Sequence, residues 1–105
     1  MATLFLALAI LFEVAGTLAM KASDGLTRAA PILVMVAAYA VAFGFLSLSL
    51  RRIEVGMAYA IWSGVGTALI TAAGILVFKE SMSALKLASI ALIIIGVIGL
   101  KIDGG

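Results

Sequence analysis

The chain contains no cysteine and no histidine, a single proline, a single tryptophan and few charged residues. Without cysteine there is neither a disulfide nor thiol chemistry. Without histidine the commonest general base and metal ligand is missing. Only 11% of its 105 residues are charged, against about 25% in an ordinary soluble domain. Such a chain cannot cover a water-facing surface. Its net charge of +2 comes from scattered lysines and arginines, with no basic tract that would suit a nucleic acid. What the sequence does have is apolar residues, 66% of the total, gathered into long runs. It therefore reads as an all-α membrane protein with one domain.

A membrane-crossing helix needs about 20 mostly apolar residues. Four stretches meet that requirement, at 3–20, 31–50, 55–78 and 84–100, and almost nothing is left over. Residues 2–20 lack a charged leading segment and a small-residue cleavage site, so they read as a retained span and not as a signal peptide. Pro31 suits a first helical turn, Asp24-Gly25 is a turn signal, and Ser81 or Ser83 is placed to cap the fourth helix. Lys21, Arg28, Lys79 and Lys86 fall on one side of the membrane, and Arg51, Arg52 and Lys101 on the other. That near balance gives no clear orientation by the positive-inside rule. It points to insertion in both directions, so that two copies pair antiparallel; a single orientation set by a weak bias or a partner is the alternative. The charged loop residues read as a solvated face or as headgroup anchors.

Glu13 is the only charged residue between Thr3 and Met20. A charge at that depth costs about 2.5–3.5 kcal/mol on insertion scales, which makes an intramembrane acid a functional residue by default. Desolvation disfavours the charged form of a carboxyl group. Such an acid can take up a proton, and once ionised it attracts a cation. The two then compete for one position. Its helical neighbours include Ala9, Ile10, Gly16 and Thr17, which are small or apolar apart from the one hydroxyl. They leave room for a hydrophobic cation.

The third span carries GMAYAIWSGVGTA. Tyr59 and Trp62 are three residues apart and share a helix face, and Ser63 adds a hydroxyl. Aromatic faces attract cations, so these residues, with Tyr39 and Phe43 of the second span, are candidate walls of a cation site. Gly64, Val65 and Gly66 form a candidate hinge, because paired glycines permit a bend. Close packing is the rival reading, since Ala60, Gly64 and Ala68 recur every four residues. In the fourth span Ser89, Leu92, Ile93, Gly96 and Val97 repeat at helical spacing. They are a candidate dimer contact, with packing inside one chain as the alternative. No metal cluster or cofactor motif is present, and no acid–base pair suggests an enzyme.

With its four spans, FEVAGTLAMKASDGLTR and GMAYAIWSGVG, the chain resembles the small multidrug resistance family of bacterial inner-membrane exporters over essentially its whole length. The resemblance implies an antiparallel dimer with one shared site. The essential acid of that site matches Glu13, its aromatic residues match Tyr39, Tyr59 and Trp62, its kink matches Val65 and the flanking glycines, and its dimer stripe matches Ser89, Leu92, Ile93, Gly96 and Val97. The first stripe position is often Gly in the family and is Ser here. Guanidinium exporters of the family typically carry Trp where this chain has Gly16, and Thr-Gly-Ile-Gly where it has Ser63-Gly64-Val65-Gly66. The expectation is therefore a multi-pass, proton-coupled antiporter of the quaternary-ammonium type, a homodimer with a heterodimer as the alternative. Guanidinium exchange and a non-transporting accessory subunit are the other readings.

Overall fold

The computed structural model describes residues 1–104 and is helical almost throughout. Its elements are α1 (Ala2–Ala22), α2 (Ala29–Ser49), α3 (Val55–Val77) and α4 (Ala84–Gly104). All four are long and apolar enough to cross a membrane. A 21-residue helix rises about 31 Å, close to the hydrocarbon thickness of about 30 Å. A helix suits that solvent because it satisfies its own backbone groups, which lipid cannot do. Pro31 does not interrupt α2, since it lies in the first turn, where no intrahelical amide bond is lost. The helices differ by a few residues from the expected spans. α1 continues to Ala22, α2 begins at Ala29, and α4 runs past Leu100 to Gly104.

The chain divides into two compact units, Met1–Ile53 and a second beginning at Glu54. In the first, α1 and α2 pack as a hairpin along much of their length. Phe45 of α2 stacks against Phe5 and Phe12 of α1, with ring centroids 5.9 and 6.0 Å apart. The turn joining the helices is built on Ser23, which is fully buried. Its Oγ donates to the Met20 carbonyl at 2.6 Å and accepts the Leu26 amide at 3.0 Å. Its carbonyl receives the amides of Thr27 and Arg28. Asp24, Gly25 and Leu26 all take positive φ, so the Asp-Gly signal marks a left-handed turn. Only Gly25 is sterically free there. At the end of α2, Ser49 is likewise buried and donates to the Leu46 carbonyl at 2.7 Å.

In the second unit α3 and α4 form a hairpin with a shorter contact. α3 ends at Val77; Lys79 takes φ +56, and the Glu80 amide returns to the Gly74 carbonyl at 3.2 Å. Ser83 caps α4, its Oγ accepting the Lys86 amide at 3.1 Å. No described side chain of α4 is buried.

Candidate functional site

The polar feature within the membrane span of the first unit is a short row of three side chains. Thr17, one turn beyond Glu13 on α1, donates its hydroxyl to Glu13 Oε1 at 3.0 Å. Thr17 Oγ1 also lies 2.7 Å from the Tyr39 hydroxyl of α2. Threonine has one O–H to give and two lone pairs with which to accept. With that proton spent on Glu13, the Tyr39 hydroxyl is the donor in the second bond. The row therefore runs Tyr39 to Thr17 to Glu13, with each member half-buried. An ionised carboxylate can only accept, so this polarity suits the charged acid. Among the described residues Glu13 has no ion pair.

Gly16 explains how Tyr39 reaches this position. A Cβ built on Gly16 would lie 2.6 Å from both Cδ1 and Cε1 of Tyr39. The ring rests directly on the glycine backbone, and the hydroxyl at its far end meets Thr17. From the sequence, Gly16 is expected to leave open space beside the acid. In this structure that space is taken by the Tyr39 ring. The pairing of residues 16 and 39 was out of reach of helical periodicity, since they lie on different helices and the register between helices is not written in spacing.

The other anticipated residues fall into distinct settings. Ala9 and Ile10 are on α1 with 0% and 3% exposure, so any ligand contact there requires neighbouring side chains to move aside. Phe43 is exposed on α2. Tyr59, Trp62 and Ser63 lie on α3, in the second unit; Tyr59 and Ser63 are exposed and Trp62 half-buried. α3 runs unbroken through Gly64, Val65 and Gly66. A Cβ on Gly64 would collide with Val97 Cγ2 and lie 3.3 Å from Ile93 Cγ2. Gly64 is thus a seat for close helix packing, as the four-residue spacing of Ala60, Gly64 and Ala68 suggests, whatever bending it also allows. Ile93 and Val97 consequently pack within the chain. A Cβ on Gly96 would meet nothing within 4 Å, and Leu92 is exposed. Ser89 Oγ turns back to the Leu85 carbonyl at 2.8 Å. Ser23, Ser49 and Phe45, which hold the first hairpin, were not singled out from sequence; the Ser-Asp-Gly run was the available signal for the first of them. Among the described residues no group of acidic side chains could hold a metal ion.

A family model described as Small Multidrug Resistance protein matches residues 1–93. The Quaternary ammonium compound-resistance protein QacE of Escherichia coli is 44% identical over 99 residues, covering 94% of this chain and 90% of that protein. The Multidrug resistance protein mmr of Mycobacterium leprae is 44% identical over 103 residues, covering 97% and 96%. An uncharacterized membrane protein of Bacillus subtilis, YvaE, is 51% identical over 98 residues, covering 93% and 82%.

Proposed function

The chain belongs to the small multidrug resistance family of membrane transporters and is no enzyme, and on that footing we propose that it exports hydrophobic, quaternary-ammonium-type cations in exchange for protons. The observation that carries the reading is the hydrogen-bonded row at Glu13. An ionised Glu13 accepts from Thr17 and attracts a cation. Protonation removes the charge and turns the carboxyl into a donor. The carboxyl O–H then donates a hydrogen bond to Thr17 Oγ1, which in turn donates to the Tyr39 hydroxyl oxygen. The direction of the row reverses, so the protonation state of Glu13 is felt at the ring of Tyr39. Proton and cation exclude one another at Glu13, and this differential affinity is what a coupled exchanger requires.

The aromatic faces of Tyr39, Tyr59 and Trp62 supply the further contacts of a lipophilic cation. The protein works as an antiparallel homodimer in the bacterial inner membrane, each copy contributing its Glu13 to one shared site. On the cytoplasmic side the two acids release protons and bind the cation; on the outside protons displace it. Gly16 supports the multidrug reading over guanidinium exchange. A tryptophan at that position could not coexist with the Tyr39 ring where it now lies.

Proton release from purified protein on addition of tetraphenylphosphonium tests this directly. Release is expected for the native chain, with binding weakening as the medium is acidified. Glu13→Gln is expected to show no release and no proton-driven uptake in vesicles, because glutamine cannot titrate. Proton-driven uptake retained by that variant would defeat the mechanism. Currents carried by guanidinium but not by a bulky quaternary ammonium in liposomes would instead favour the guanidinium reading.

A further inference from the structure

At the end of the first hairpin where α1 begins and α2 stops, a cleft of about 480 Å³ is lined by Met1, Ala2, Phe5, Leu48, Arg51 and Arg52. That volume lies in the range of about 300–1,000 Å³ typical of ligand pockets. The transport reading makes no use of it. Its rim is cationic, and Phe5 and Leu48 add apolar side chains to a lining that is polar in larger part. The Phe5 ring is fixed by its stack with Phe45.

The two arginines differ from Arg28 and Lys86, whose side chains are tied to backbone carbonyls. Arg28 gives Nη1 to the Ala22 carbonyl at 3.3 Å, and Lys86 gives its ammonium to the Ser81 carbonyl. Arg51 and Arg52 tie their backbone amides to Leu48 and Ser49, yet among the described residues neither guanidinium has a hydrogen-bond or carboxylate partner. Two adjacent, uncommitted guanidinium forks at the rim of one cleft are a match for phosphate oxygens. The level is right as well. α1 and α2 each span the hydrocarbon layer, so residues just outside them lie among lipid headgroups.

We propose that this cleft binds an anionic phospholipid. Its phosphate sits between Arg51 and Arg52, and the first methylenes of an acyl chain lie on Phe5 and Leu48. The apolar side chains of Phe5 and Leu48 favour a lipid over a free phosphate ester, which would leave them uncovered. The cationic rim favours an anionic lipid over a zwitterionic one, whose own ammonium would crowd the arginines.

The test uses the full-length protein in neutral detergent, with bound lipid counted by native mass spectrometry. Short-chain phosphatidylglycerol is expected to half-saturate the protein at a concentration about tenfold below that of phosphatidylcholine with the same chains. The double variant R51Q/R52Q is expected to lose that preference. K21Q, which removes one charge at the opposite end of α1, is expected to keep it. Equal retention of the two lipids by the native chain would overturn the proposal, as would an equal loss in K21Q. Glycerol phosphate competing as well as phosphatidylglycerol would overturn the lipid assignment in favour of a free anion. The lipid comparison is made on the unaltered protein, so it decides the matter even if the double variant does not fold.

Discussion

In the proposed exchange Glu13 carries the chemistry, but Gly16 decides what stands next to it. A methyl group added there would have to displace the Tyr39 ring, which approaches to 2.6 Å. Overpacking of this kind costs about 1–3 kcal/mol. Gly16→Ala is therefore expected to lower the thermal stability of the purified protein and to weaken tetraphenylphosphonium binding, since the Tyr39–Thr17 bond is lost with the ring's position. In a Tyr39→Ala background the same change should cost little stability, because the obstacle is gone. Equal costs in the two backgrounds, measured by a double-mutant cycle, would mean that the ring does not rest on Gly16. The sequence made the acid and its hydroxyl neighbour legible: an isolated carboxylate in an apolar run is conspicuous, and Thr17 lies one helical turn away. The role of Gly16 was not legible. Its neighbour is 23 positions along the chain, and nothing within α1 records that contact.

Helices were the most readable elements, since four apolar runs of membrane length admit little else. Their ends were less so. α1 and α4 outlast the hydrophobic stretches because intrahelical bonding continues where water begins, as at Lys101 in the last turn of α4. The turns depend on details of backbone bonding, such as the buried hydroxyls of Ser23 and Ser49, that composition does not disclose. The end of α3 offers a test. Lys79 holds φ +56, a region that costs a residue with a Cβ about 1–2 kcal/mol and glycine almost none. Part of that gain is offset by glycine's greater freedom in the unfolded chain. Lys79→Gly is expected to stabilise the protein by about 0.5–1 kcal/mol, read as a higher midpoint in thermal unfolding followed by circular dichroism in detergent. A lower midpoint would show that the lysine side chain contributes more than its backbone strain removes.

For the whole molecule, α4 is the revealing element. It is as apolar as the other spans, yet none of its described side chains is buried. Ile93 and Val97 lean on Gly64, while Gly96 and Gly99 open onto nothing within 4 Å. Small residues on a bare helix face allow another helix to approach closely in lipid, which is how the proposed dimer would form. Gly96→Val should be accommodated inside the chain and obstruct only such an approach. The expected result is native helical content with a shift from dimer to monomer by light scattering in detergent. An unchanged mass would remove Gly96 from the contact. The sequence pattern gave no means of dividing this stripe into residues that pack inward and residues left outward, because the division depends on how α3 lies against α4.

The fit of a tyrosine ring onto a bare stretch of backbone also ties two codons together. Added bulk at position 16 is tolerable only if the residue at position 39 retreats in the same step, or has done so already. A mutational library that varies one site at a time would score added bulk at position 16 as intolerant and miss the exchanges that a smaller residue at position 39 permits; saturating the two jointly would recover them.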